Sequence, residues 1–121
     1  MIKRFDRLEI VTTDLADAGK VYEQNFGFTV WCASSPDEAT IAIGDAEIRL
    51  RAGASVAALL ATSGEGLGAV WLETDDVEKT AAALTSAGVG FAPVRREGDR
   101  RIIAVDPKAA NMVPLYIFDR R

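Results

Sequence analysis

Phe5-Asp6-Arg7-Leu8-Glu9-Ile10-Val11-Thr12-Thr13-Asp14-Leu15 reads as a strand running into an acidic helix start. Half a chain later, Leu67-Gly68-Ala69-Val70-Trp71-Leu72-Glu73-Thr74-Asp75-Asp76-Val77 repeats the design. A helical stretch follows each copy. Leu15, Ala18, Val21 and Tyr22 keep helical spacing before Gly27, as do Val77, Ala81 and Leu84 before Gly88. Thr13 or Asp14, and Asp75 or Asp76, are the N-cap candidates, because their side-chain oxygens accept the orphan N–H groups of a first turn.

Beyond each glycine come strand-like segments, at residues 28–33, 39–43 and 47–51, then at 90–95, 101–105 and 113–118. Turn residues separate them: Ser34-Ser35-Pro36-Asp37, Gly44-Asp45, Glu97-Gly98-Asp99 and Asp106-Pro107. The expected order is β-α-β-β-β, twice, in one α+β domain. Module one takes about residues 1–52, a linker about 53–66, and module two about 67–121. Residues 56–61 in the linker read as one or two helical turns, closed by Gly64-Glu65-Gly66. Those glycines make a joint, since a phosphate loop needs Gly-Lys-Ser/Thr after a strand.

The 121 residues carry 14 Lys+Arg against 18 Asp+Glu, a net charge of −4, and are 49% hydrophobic. That balance belongs to a folded chain and opposes general nucleic-acid binding, which needs surplus cations. No apolar run approaches the roughly 18 residues of a membrane span, and no leader pattern opens the chain. The expectation is a cytoplasmic protein with neither membrane nor nucleic acid as partner. Cys32 is the one cysteine, which excludes an intrachain disulfide and a multi-cysteine zinc site. Histidine is absent. Ser-His-Asp and Cys-His catalysis are therefore excluded, and the commonest transition-metal ligand is missing. Any catalysis must use Asp/Glu, Lys/Arg, Tyr or the backbone.

Strand alternation assigns faces. Leu8, Ile10, Ile48, Leu50, Val70, Leu72, Leu115 and Ile117 form the apolar set that meets the helices. The opposite face then carries Arg7, Glu9, Glu47, Arg49, Arg51, Trp71, Glu73 and Tyr116. This is either a solvated face or, if the halves curve together, the lining of a cleft. In a cleft the arginines either pair with the glutamates or clamp an anionic ligand.

Paired β-α-β-β-β modules of this size resemble the vicinal oxygen chelate superfamily, which includes glyoxalase I, bleomycin-resistance proteins and extradiol dioxygenases. Three stretches look most like its methylmalonyl-CoA epimerase branch. Val56-Ala57-Ala58-Leu59-Leu60 with Gly64-Glu65-Gly66-Leu67 and then Leu72-Glu73-Thr74-Asp75-Asp76-Val77 resembles its linker and following strand. Asp106-Pro107-Lys108-Ala109-Ala110-Asn111-Met112-Val113 resembles its His-Pro-Lys loop. Asp37-Glu38-Ala39 with Ile43-Gly44-Asp45 resembles its third strand and turn.

The resemblance implies a cleft metal held by one residue from each of four strands. Those positions fall here on Arg7, Arg49, Ala69 and Tyr116: two cations, a side chain with no donor, and a phenol in place of a carboxylate. No metal and no other cofactor is therefore expected. The resemblance also implies a homodimer. Glu38 matches the family's general base and is either that or an ordinary solvated carboxylate. The leading expectation is a metal-free protein whose partner is a small anionic or aromatic molecule, bound by Arg7, Glu9, Arg49, Arg51, Trp71, Glu73 and Tyr116. The alternative is a metal-independent isomerase or lyase with Glu38 as base and Arg7 or Arg49 as electrophile. A third is a subunit without a ligand. Cys32 reads as a packed core or cleft-wall thiol. Trp31 and Trp71 read as core or as ligand walls. Arg95, Arg96, Arg100 and Arg101 read as a solvated hairpin or a phosphate grip.

Overall fold

The computed structural model describes residues 1–32 and 35–120. The order is β1 (Ile2–Val11), α1 (Leu15–Phe26), β2 (Trp31–Cys32), β3 (Glu38–Ile43), β4 (Ala46–Arg51), α2 (Ala57–Ser63), β5 (Gly66–Thr74), α3 (Val77–Ser86), β6 (Arg95–Glu97), β7 (Arg100–Ala104) and β8 (Leu115–Arg120). This is the expected α+β pair of β-α-β-β-β modules. The chain forms two compact units, one of Arg7–Gly68 and one of Met1–Asp6 with the residues from Ala69 onward.

In the Arg7–Gly68 unit the strands run β2-β3-β4-β1. β1 pairs with β4 in parallel, Arg7 opposite Glu47 and Val11 opposite Arg51, and β3 pairs with β4 antiparallel, Glu38 opposite Arg51. Asp14 caps α1 by accepting from Asp17 N–H, and Gly27 ends it at φ +69°, a left-handed conformation that costs glycine least. Ala39, Ile41 and Leu50 are buried against Ile10, Leu15, Ala18, Tyr22 and Ile48, so the alternation read from the sequence holds. A side chain on Gly68 would meet Val11 Cγ1 at 2.8 Å, so β5 enters close to the end of β1 only because that position is bare.

In the other unit the order is β5-β8-β7-β6. Asp76 caps α3, accepting from Glu78 and Lys79 N–H. Beneath α3, Val77, Ile103, Val105 and Ile117 are buried with Leu72, Ala81, Leu84 and Leu115. A second cluster, Ala69, Trp71, Ile102 and Phe118, lies on the opposite face with Tyr116 against it. Asp119, 1% exposed, accepts Val77 N–H and both Nε and Nη2 of Arg101, which joins the start of α3 to β7 and β8. The Asp119 hydrogen bond, followed by its charge and those of Glu78 and Asp76, holds the Arg101 guanidinium above its ordinary pKa.

Four local expectations change. The strand expected at 28–33 is only Trp31–Cys32. Residues 33 and 34, which that strand and the following turn include, lie outside the described residues. The strand expected at 90–95 is an isolated bridge, Phe91 with Val105, and pairing resumes at Arg95. Cys32 is exposed on β2, a two-residue edge strand, and lines a pocket beside α1 rather than packing in the core. Trp31, in the same strand, is 64% exposed. The linker is more helical than expected, a 3-10 turn at Ala54–Val56 running into α2.

Candidate functional site

Three neighbouring strands of the Arg7–Gly68 unit put their alternate residues on the face away from α1. β3 supplies Glu38 and Thr40, β4 supplies Glu47, Arg49 and Arg51, and β1 supplies Arg7 and Glu9. Period-2 alternation and the register alone assemble this group. Glu9 is 5% exposed and Arg7 6%. Arg7 Nε donates to Glu9 Oε2 at 2.9 Å, and Arg51 Nη1 donates to Glu9 Oε1 at 3.1 Å. Arg51 Nη2 donates to Ser55 Oγ, and its buried Nε faces Glu38 Oε1 at 3.4 Å without a hydrogen bond. Arg49 donates to Glu47 at 3.0 Å. Three arginines thus meet three glutamates, the compensation that desolvated charges require. Glu38 and Arg51 keep about a third of their side-chain surface open to water.

Trp71 and Tyr116 come together in the other unit. Their rings stack at 4.5 Å and 17°, on cross-strand partners of β5 and β8. Phe118 meets Trp71 edge-on at 6.1 Å. Glu73, two residues along from Trp71, is buried and held by Arg4 Nε at 2.6 Å, by Lys3 and by Arg120. The Glu73 hydrogen bond is the main reason that the Arg4 guanidinium lies above its ordinary pKa; Asp6 adds to it and burial opposes it.

The arginine-rich hairpin has a division of labour that the sequence reading missed. Arg101 points to the helix side and pairs with Asp119. Arg95 lies over the Tyr116 ring at 5.9 Å, and Arg100 and Arg120 lie over Phe118 at 4.5 and 5.3 Å. The available signal was parity: Arg95, Arg100 and Ile102 share a face with Tyr116 and Phe118 once β6, β7 and β8 are in register. The register itself is a tertiary property.

The four strand positions to which the resemblance assigns a metal hold Arg7, Arg49, Ala69 and Tyr116. The two guanidiniums are acceptor-free cations already paired with glutamates, Ala69 has no donor atom, and Tyr116 is stacked. These residues do not fit a divalent ion. Among the described residues no group of three or more Asp, Glu or Cys side chains converges to hold one elsewhere. No helix of the described residues is long and apolar enough to cross a membrane.

The family model of the Glyoxalase/Bleomycin resistance protein/Dioxygenase superfamily matches residues 4–113, and the chain belongs to that superfamily. No curated protein matches it. Among solved structures it is similar to a variant of Streptomyces coelicolor methylmalonyl-CoA epimerase in complex with 2-nitronate-propionyl-CoA. The TM-score is 0.80 at 25% identity, over 99% of this chain and 96% of that one. Methylmalonyl-CoA epimerase from Mycobacterium tuberculosis matches at TM-score 0.80 and 24% identity, over 99% and 89% of the two chains. A hypothetical protein from Bacillus halodurans matches at 0.78 and 18%, over 98% and 94%. The last two are likenesses of fold alone.

Proposed function

We propose that this chain is a metal-independent glyoxalase-like protein that binds a small anionic or aromatic molecule. One observation carries the reading: the positions that would chelate a metal hold a compensated arginine–glutamate set and a stacked phenol. The Arg7–Gly68 unit supplies guanidinium groups and the other unit aromatic faces, the groups that recognise carboxylates and flat rings. Native mass spectrometry of the purified protein tests it. The expected result is a homodimer carrying an organic mass and no metal, with Arg49→Ala or Trp71→Ala weakening retention and no product after long incubation. A stoichiometric divalent metal would overturn the reading.

A second reading is favoured by Glu38, which stays partly open to water beside Arg51 while Glu9 is enclosed. In this reading Glu38 takes a proton from a bound carbon acid, and Arg7 or Arg49 stabilises the resulting oxyanion. Either arginine would then have to share the glutamate it now holds. Glu38→Gln should abolish turnover of such a substrate while leaving its affinity nearly intact. Equal turnover would exclude Glu38 as the base.

A further inference from the structure

A pocket of about 480 Å³ opens where β7 ends and β8 begins, within the unit that contains Tyr116. Tyr116, Pro107 and Pro114 line it, and Phe91, whose side chain packs with Val105 and Leu115 on the α3 side, borders it. β5 and β7 flank β8. On the β5 side Trp71 stacks on Tyr116, while on the β7 side the residue opposite Tyr116 is only Ala104. That small side chain leaves room beside the ring, and Ala104 itself lines the pocket. Arg95 stands at the same ring, its guanidinium 5.9 Å from the Tyr116 centroid. Its carboxylate neighbour is Glu97 at 3.7 Å, with both side chains at least half exposed, a contact worth little in water. The wall's one carboxylate, Asp106, accepts Lys108 N–H as the cap of the turn Pro107–Ala110.

We infer that this pocket takes a small aromatic carboxylate, its ring beside Tyr116 and against the two prolines, and its carboxylate on the Arg95 guanidinium. The inference rests on the chain being a small-molecule binder and supplies the chemical class and the place. The volume lies within the range of small-molecule sites, about 300–1,000 Å³. A flat apolar enclosure with one cation at its edge selects a planar anion over an aliphatic or neutral ligand, because the charge-assisted bond is lost with the neutral isostere.

The test is an amide-resolved NMR titration of the full chain with 2-naphthoate and with its neutral isostere 2-naphthamide. Naphthoate should shift the amides of Phe91, Ala104, Asp106 and Tyr116 and bind at least about fivefold more tightly than naphthamide. Arg95→Gln should bring the two affinities together. Ala104→Leu should weaken both by about tenfold or more, with shifts elsewhere unchanged; if that variant fails to fold, Ala104→Val should give the smaller loss. Equal affinities in the parent chain, or no shift at these amides at millimolar ligand, would overturn the inference. Shifts at Glu9, Arg49 and Arg51 instead would overturn this pocket and leave the small-molecule reading standing. No binding by either probe, together with no retained molecule in the native mass spectrum, would overturn both.

Discussion

Glu9→Gln is the perturbation that bears most directly on the charged face. The Arg7 and Glu9 side chains are 7% and 6% exposed, so their 2.9 Å contact is shielded from solvent. Glutamine keeps the shape and one acceptor oxygen but removes the charge. A charge-assisted hydrogen bond contributes about 1.5–3 kcal/mol net and a neutral one about 0.5–1.5 kcal/mol, so the Arg7 bond loses roughly 1–1.5 kcal/mol. The Arg51 bond is lost, because an NH2 that cannot accept replaces the second oxygen, but this costs only about 0.5 kcal/mol, since that side chain is 29% exposed and water takes the acceptor's place. The expected cost is thus about 1.5–2 kcal/mol. With a urea slope of about 2 kcal/mol/M for a chain of this size, the midpoint falls by roughly 1 M at unchanged slope. Glu47→Gln is the control. Its pair with Arg49 leaves about a quarter of both side chains exposed, so its cost should stay below about 1 kcal/mol. Urea melts of the parent and both variants at low and high salt decide the matter, since salt weakens the Glu47 effect more than the Glu9 effect. A Glu9→Gln midpoint that coincides with the parent, or a larger loss for Glu47→Gln, would refute compensation at the buried pair.

Other perturbations follow from the same geometry. Asp76→Ala removes the acceptor for Glu78 and Lys79 N–H and should cost about 0.5–2 kcal/mol in urea unfolding, with Asp76→Asn recovering most of it. Gly68→Ala places a Cβ 2.8 Å from Val11 Cγ1 and should cost about 1–3 kcal/mol. Combined with Val11→Ala it should cost less than the sum of the two single changes, and strict additivity would mean that the clash is absent. Glu65 is held below the ordinary carboxylate range, chiefly by the Thr12 hydroxyl at 2.8 Å and then by Thr13. Its contribution is therefore complete above the unfolded-state value of about 4.3 and lost as pH falls through the lower folded-state value. As pH falls below about 4.3 the parent should lose stability more steeply than Glu65→Gln, and parallel pH profiles would exclude the contact as a source of acid sensitivity.

Much of this architecture was legible in one dimension. The two strand-to-acidic-cap passages fix where each helix starts, because Asp14 and Asp76 satisfy first-turn amides through contacts no more than three residues away. Alternation assigned Ile10, Ile48, Leu50, Leu72, Leu115 and Ile117 to the helix side, and they are there, since a half-buried strand has only two faces. The absence of histidine and the residue types at Arg7, Arg49, Ala69 and Tyr116 were equally plain, being chemistry carried by single side chains. Tertiary structure decided which charges meet. Glu9 takes both Arg7 and Arg51, Glu73 takes Arg4, Lys3 and Arg120, and Arg101 leaves its hairpin neighbours for Asp119. Apart from Arg7, which is two residues from Glu9, each partner lies 18 to 70 residues away and is brought in by strand register. It also decided that Cys32 is exposed, because an edge position is a property of sheet order and not of the residues in the strand. Local hydrogen bonds and two-fold alternation are written into neighbouring residues. Pairing, burial and the space beside Tyr116 exist only once distant strands are laid side by side.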